Sequence, residues 1–197
     1  TKGVSRTVIQ AILKKQGGGA TEEASEETAP ASPAPSRISA KNVDDDAVLP
    51  PEIEPVAGQE YYTRYTLKYE DDEWPTTNYA RGSTLPINTK VKLLSLGNKS
   101  FTIQFVEGGG TLKVENGEKH SKRSTLQVAK EMLSEEPTAI EKYGDEMAEA
   151  IRTGTLRLGM TKTQVLLTRG YPPGHETASL ELPLWKYWSS RFVVHSL

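Results

Sequence analysis

The sequence predicts an α+β protein in which a small antiparallel β-barrel precedes a domain of helices and a short sheet. Three observations indicate this order. Residues 57–119 hold short β-branched and aromatic runs separated by glycine turns, residues 120–170 hold capped helical segments, and an aromatic run follows at 184–189. Only 36% of the residues are hydrophobic, so part of the chain is expected to lie outside any core.

Residues 1–16 predict a short amphipathic helix. Val4, Val8 and Ile12 form an apolar stripe, and the segment carries four basic residues and no acidic one. A helix of this kind packs in the groove of a partner or against its own protein. Contact with a membrane surface remains an alternative.

Residues 17–56 predict a disordered or extended linker. Pro, Ala, Ser and Glu dominate, and nine acidic residues face two basic ones. Too little apolar surface is present to offset the entropy of ordering such a segment. Held in place, it is expected to thread along neighbouring subunits of a larger assembly.

Residues 57–119 predict the β-rich module. Side chains from Tyr61 to Tyr69 alternate with a period of two, which indicates one strand. Further strands are predicted at 91–96, 101–106 and 111–114. Gly97-Asn98 and Gly108-Gly109-Gly110 form the turns between them. Short strands with such turns are typical of an SH3-like barrel.

Residues 120–197 predict a helical connection and a second module. Ser124 with Gln127, and Thr161 with Gln164, have the spacing of capping boxes. A further helix over 147–152 should end before Gly154. Strands are predicted over 184–189 and 192–197, with Trp185 and Tyr187 on one face and Trp188 on the other.

Two glycines bound the best-capped helix. Gly159 and Gly170 are expected where a side chain would clash, and Pro172-Pro173 prevents the helix from continuing. Met160 is expected to fill core space between helix and sheet.

The motifs from about residue 145 to 197 resemble the SmpA/OmlA (BamE-like) family of small outer-membrane lipoproteins. They are Ile151 to Gly154, Gly159-Met160-Thr161, Gln164-Val165, Gly170-Tyr171-Pro172 and Trp185-Lys186-Tyr187. The resemblance implies two helices packed on a three-stranded antiparallel sheet, and a periplasmic protein associated with the outer membrane. Three features differ from that pattern: no cysteine is present to carry a lipid, the final strand is expected to be incomplete after Leu197, and a β-rich module precedes the domain.

Little in the sequence indicates catalysis. The absence of cysteine excludes a disulfide, a thiolate metal site and a cysteine nucleophile. His120, His175 and His195 have no metal-ligand spacing, and His175 is expected at the surface of a turn. No nucleophile motif or phosphate loop is present, so we expect no enzyme, no cofactor, no metal and no small-molecule substrate.

The leading hypothesis is a non-enzymatic scaffold subunit of a bacterial cell-envelope assembly. Its partners would be other envelope proteins, and the net charge of -2 gives no reason to expect nucleic acid. The candidate partner-binding residues are Val4, Val8, Ile12, Tyr61, Tyr65, Trp74 and Trp188. The alternative is an SH3-like module that binds peptides or peptidoglycan through a groove of Tyr61, Tyr62, Tyr65, Trp74 and Tyr79.

A small basic cluster, Lys119 to Arg123, lies next to a predicted helix start. It is expected to be solvated, and contact with phospholipid headgroups or with the acidic linker is the alternative.

Overall fold

The computed structural model describes residues 53–190 and 193–197, all of which belong to one compact unit. The predicted helix over 1–16, with Val4, Val8 and Ile12, and the linker over 17–52 lie outside the described residues. The α+β class is confirmed: a sheet forms most of the core, and four α-helices accompany it.

Seven strands occupy the first half of the described chain. They are β1 (Glu60–Thr63), β2 (Leu67–Tyr69), β3 (Glu73–Pro75), β4 (Ser83–Leu85), β5 (Lys90–Leu96), β6 (Ser100–Phe105) and β7 (Thr111–Glu115). An eighth, β8 (Leu133–Ser134), completes a six-stranded sheet of order β3-β7-β6-β5-β1-β8. β2 and β4 form a separate antiparallel pair.

The main sheet is open rather than closed. β3 and β8 are its two edges, and no closed barrel forms among the described residues. β3 also pairs in parallel with β7, whereas the sequence predicted antiparallel strands throughout. β3 is only three residues long, and its partner is distant in sequence, so its direction is set by tertiary packing rather than by a hairpin.

The predicted strand from Tyr61 to Tyr69 is divided into β1 and β2. Arg64, Tyr65 and Thr66 are all buried, so the alternation of inside and outside stops there. The backbone leaves the sheet at this point. The N–H of Arg64 donates to the Met132 carbonyl and that of Thr66 donates to the Leu167 carbonyl, which gives the segment partners other than a neighbouring strand.

The two glycine turns form as predicted. Gly97 and Asn98 connect β5 to β6, which pair in antiparallel register with Val91 opposite Phe105. Gly108 and Gly109 connect β6 to β7, and both have positive φ, which glycine adopts without steric cost.

The helices are α1 (Glu118–Ser121), α2 (Thr125–Met132), α3 (Asp145–Thr153) and α4 (Lys162–Arg169), with a 3-10 turn at Glu141–Tyr143. β9 (Lys186–Ser190) and β10 (Val193–Ser196) then form an antiparallel hairpin, which among the described residues is a sheet of two strands where the resemblance implied three. Gly154 caps α3 in the left-handed region, as predicted. The longest described helix has nine residues, and none of the described helices is long and apolar enough to cross a membrane.

Three hydrophobic clusters form the core. The first joins the main sheet to α2, the second joins Ile87 to α3 and α4, and the third places Trp185 and Tyr187 against Leu166 of α4. Because α2 and β8 pack with the first module, the border predicted between residues 119 and 120 does not separate two packing units.

Thr66 connects the β-rich part to the helices. Its side chain is fully buried, its Oγ1 donates to the Ile151 carbonyl at 2.7 Å, and it accepts from the Ile87 N–H at 2.9 Å. One hydroxyl therefore forms hydrogen bonds with a buried carbonyl of α3 and with a buried N–H of the segment before β5.

The predicted linker ends earlier than residue 56. Ile53 and Pro55 are buried, the Val56 N–H donates to the Tyr61 hydroxyl at 2.8 Å, and Glu54 pairs with Lys130 of α2. The chain is therefore held on the domain from Ile53 onward.

Candidate functional site

Three of the predicted partner-binding aromatics lie in the core. Tyr61, Tyr65 and Trp74 are only 4%, 4% and 3% exposed, and all three belong to the first hydrophobic cluster. Their rings are covered by the helices and the neighbouring strands, so they offer no surface to a partner in this fold. The groove predicted from them with Tyr62 and Tyr79 does not form, and Tyr62 is half-buried on β1.

The structure gathers a different set of rings. Tyr79, Trp188, His175 and His120 lie one after another, and we call them the aromatic strip. Tyr79 meets Trp188 edge-on with ring centroids 6.3 Å apart, and His175 stacks on Trp188 at 6.0 Å. The His120 ring meets His175 edge-on at 4.8 Å. These separations are those of favourable ring contacts.

Trp188 occupies the outward face of β9. Trp185 and Tyr187 point inward and are 4% and 1% exposed, and the period of two places Trp188 opposite to them. Trp188 is half-buried, because Tyr79 and His175 flank its ring. The predicted division of the three aromatics between two faces is confirmed.

Asn78 positions Tyr79 in the loop between β3 and β4. Its amide Nδ2 donates to the carbonyls of Arg169 and Tyr171, which attaches the loop to the end of α4. Its backbone has a φ of 54°, in the left-handed region that asparagine tolerates better than most residues. The buried Asn78 thus brings Tyr79 to Trp188.

Gly174 positions His175 against α1. A Cβ at Gly174 would lie 2.4 Å from the Ser121 carbonyl oxygen, so only glycine allows this approach. The His175 N–H then donates to the His120 carbonyl at 3.0 Å, and His175 Nδ1 lies 3.1 Å from the same oxygen. This pairing brings the two imidazoles together.

Charged groups surround the strip. Glu176 Oε1 lies 3.7 Å from His175 Nε2, and Glu176 Oε2 lies 3.6 Å from Lys186 Nζ. At the other end, the Arg81 guanidinium covers the Tyr79 ring at 5.7 Å and pairs with Glu70. The strip is therefore an aromatic surface with a charged margin, as in the core and rim of many interfaces.

A buried layer supports the hairpin below the strip. The Tyr187 hydroxyl donates to the Gly170 carbonyl at 2.8 Å, and burial raises the pKa of this phenol above its ordinary value. Arg169 lies over the Tyr187 ring at 5.4 Å, and burial lowers the pKa of its guanidinium. This buried layer fixes the plane of β9 and therefore the direction of Trp188.

A groove of about 660 Å³ adjoins the strip at His175. We call it the α1–α2 groove, and its walls include Lys122, Arg123, Glu131, Tyr171, Pro172 and Ala178. Arg123 is fully engaged there. It pairs with Glu131 at 2.6 Å, donates to the Pro172 carbonyl at 2.7 Å and covers the Tyr171 ring at 5.1 Å.

Within the described residues, no three His, Asp or Glu side chains lie close enough together to hold a metal ion. The arrangement of the strip is suited to stacking and burial of apolar surface. Among the described residues of the strip, no nucleophile lies next to a base.

Sequence reasoning placed only Trp188 and Tyr79 of this strip among candidate contacts. His175 was expected in a surface turn and His120 within the basic cluster. The structure assigns both to the strip. Gly174, directly before His175, is the one feature of the local sequence that indicates a close approach of this segment to α1.

Comparisons with protein-family models, with curated proteins and with solved structures found no match for this chain.

Proposed function

We propose that this protein is a non-enzymatic scaffold subunit that binds partner proteins through the aromatic strip. The observation that carries the proposal is the strip itself. Four rings from the β3–β4 loop, α1, the 171–176 segment and β9 meet at one surface and remain partly exposed. At many protein interfaces, a few aromatic side chains that cluster inside a polar margin contribute most of the binding energy.

We place this scaffold in the bacterial envelope, in the periplasm and associated with the outer membrane. What supports this is the resemblance of residues 145–197 to BamE-like domains, together with local features that fit it. Thr161 and Gln164 form a complete capping box, and Trp185 and Tyr187 pack beneath α4. Fractionation of source cells that express a tagged chain tests the location, and recovery in the cytosolic fraction would contradict it.

Photo-crosslinking tests the partner surface. A photoreactive phenylalanine analogue at Trp188 or Tyr79 replaces one ring by another and is expected to form adducts with partner proteins in the source cells. The same analogue at Leu94 serves as the control, because Leu94 is 43% exposed on β5 and belongs to no aromatic cluster. Equal adducts at all three positions, or none at Trp188 and Tyr79, would refute the proposal.

The N-terminal segment was expected to tether the protein to its neighbours. Deleting residues 1–52 tests this without removing the buried Ile53. If the shortened chain still co-purifies fully with its partners, the strip alone accounts for binding and the tether is wrong. Loss of co-purification with the fold intact would assign binding energy to residues 1–52.

A peptide- or peptidoglycan-binding module is the second candidate function. Tyr79 belongs both to the ligand groove predicted from the sequence and to the aromatic strip. Exposed aromatic rings also stack on sugars and on proline-rich segments. Pull-down with purified cell wall separates the two functions. Retention that is lost in Trp188→Ala and kept in Leu94→Ala would favour the wall ligand.

A further inference from the structure

We propose that residues 44–52 of this chain bind in its own α1–α2 groove. The inference does not rest on the proposed function, because it concerns an intramolecular contact in a groove that shares only His175 with the aromatic strip. Three observations point to this occupant: the place where the described chain begins, the reach of the segment, and its charge.

The described chain begins next to α2, which supplies one residue of the groove wall. Ile53 is buried in the first cluster, and Glu54 pairs with Lys130 of α2. The next residue of α2, Glu131, lines the groove. The first described residues therefore lie against the same helix that contributes to the groove wall.

The segment is long enough to follow the groove. An extended chain covers about 3.3 Å per residue, so residues 44–52 can span up to about 30 Å. α2 has eight residues and is about 12 Å long. The groove extends from Glu131, near the C-terminal end of α2, to Lys122, which precedes the N-terminal end of α2. The acidic run at Asp44 to Asp46 can therefore reach the far end of the groove.

The charges are complementary. Residues 44–52 contain four carboxylates, at Asp44, Asp45, Asp46 and Glu52, and no cation. Glu131 already neutralises Arg123, whereas Lys119 and Lys122 are exposed and form no ion pair with the described residues. Lys122 lines the groove and Lys119 lies on α1 beside it, and these two lysines are the cations that remain for an acidic segment.

The apolar residues of the segment also match apolar residues of the groove. Between the acidic residues the segment reads Ala47-Val48-Leu49-Pro50-Pro51. The groove offers Tyr171, Pro172 and Ala178. Proline lowers the entropy lost when an extended segment binds, which favours such a contact.

Engineered cysteines test the contact, because the full chain has no cysteine of its own. Ala47→Cys is combined with Ala178→Cys, which lies exposed in the groove, and the rate of intramolecular disulfide formation is measured. The control combines Ala47→Cys with Glu107→Cys. Glu107 is exposed in the β6–β7 turn, at the end of β7 opposite to α1.

Binding in the groove is expected to make the Ala47→Cys/Ala178→Cys variant form its disulfide at least about tenfold faster than the control variant, through a higher effective concentration. The change of Asp44, Asp45 and Asp46 to Asn, or high salt, should remove most of that difference. Asp71→Asn with Asp72→Asn removes two carboxylates elsewhere as a charge control and should leave the difference unchanged, since both residues are exposed. Equal rates for the two variants, or rates that the Asp44–Asp46 changes do not affect, would overturn the proposal.

Discussion

Gly170 lies where the end of α4 contacts the buried Tyr65. Its φ of 70° and ψ of -166° belong to a backbone region that is almost exclusive to glycine. A Cβ at this position would also lie 2.6 Å from two atoms of the Tyr65 ring. Tyr65 is buried and packs against Trp74 and Tyr171, so its ring has little room to move.

Gly170→Ala is therefore expected to lower the free energy of unfolding by about 3 kcal/mol, from backbone strain and overpacking together. Gly159→Ala is the matched control, because Gly159 also has positive φ but no atom lies within 4 Å of its added Cβ. That change should cost about 1 kcal/mol from backbone strain alone. Urea unfolding measures both, and equal losses would show that the contact with Tyr65 is unimportant.

The two glycines show what the sequence can predict about single residues. Both were expected where a side chain would clash, and both do have positive φ. Only at Gly170 would an added Cβ clash with a neighbouring side chain. That neighbour, Tyr65, comes from a distant part of the chain, so local sequence carries no information about the clash.

Among the elements, α4 depends most clearly on its own sequence. The Thr161 hydroxyl accepts from the Gln164 N–H at 3.2 Å, and the Gln164 side chain accepts from the Thr161 N–H at 2.8 Å. The capping box predicted there is confirmed in full. At α2, the Ser124 hydroxyl accepts from the Gln127 N–H, while the Gln127 side chain donates to Glu131 instead of returning to the cap.

Thr161→Ala is expected to lower the free energy of unfolding by about 1 kcal/mol, because its loss leaves an N–H of the first turn without its acceptor. Thr161→Ser keeps the hydroxyl and should lose much less. Chemical denaturation measures both variants. A loss as large in Thr161→Ser as in Thr161→Ala would assign the effect to the threonine methyl group rather than to the cap.

Elements with local signals were predicted well, and elements without them were not. The β5–β6 and β6–β7 hairpins follow their glycine turns, and α3 ends at Gly154 as expected. The short strands β3, β4 and β8 were missed, because two or three residues carry no periodicity and only pairing with other strands defines them. The break between β1 and β2 was missed for the same reason: the partners of Arg64 and Thr66 are carbonyls of α2 and α4.

At the scale of the molecule, the aromatic strip depends on contacts that no local pattern contains. Its four rings come from four elements that are separated in sequence. The sequence identified the outward face of Trp188, because that follows from the period of a strand. It could not identify the neighbours of that ring, since these follow from how α1, α4 and the β3–β4 loop pack.

Two buried tyrosines make stability depend on alkaline pH. Burial raises the pKa of Tyr65 and of Tyr187 far above that of an unfolded phenol. Above about pH 10 the unfolded chain loses these protons while the folded chain keeps them, so ionisation favours unfolding. The stabilising contribution of the two phenols is present below that pH and is lost as the pH rises.

The free energy of unfolding is thus expected to fall above about pH 10 by up to about 1.4 kcal/mol per pH unit for each tyrosine. Tyr187→Phe should reduce the slope by about half, at the cost of the hydrogen bond to Gly170. Urea unfolding at a series of pH values in high salt measures this, because salt screens exposed pairs such as Lys90 with Glu60. An unchanged slope in Tyr187→Phe would contradict the role of this phenol.

The position of Ile53 defines where the folded unit must begin. A chain that starts at Ile53 keeps its packing in the first cluster and is expected to unfold cooperatively. A chain that starts at Ala57 loses the buried Ile53 side chain and the hydrogen bond from Val56 to Tyr61. These losses should lower the free energy of unfolding by about 2 to 4 kcal/mol.

Substitutions in the full-length chain distinguish the effect of lost side-chain packing from the effect of a shorter chain. Ile53→Ala should reproduce most of the loss, since removal of a buried isoleucine side chain costs about 2 to 5 kcal/mol. Glu54→Ala should change stability by less than about 1 kcal/mol, because its side chain is 76% exposed and surface ion pairs contribute little. Thermal unfolding of the four chains measures these effects. If the chain from Ala57 were as stable as the chain from Ile53, residues 53–56 would not belong to the folded unit, and the proposed path of residues 44–52 into the α1–α2 groove would lose its starting point.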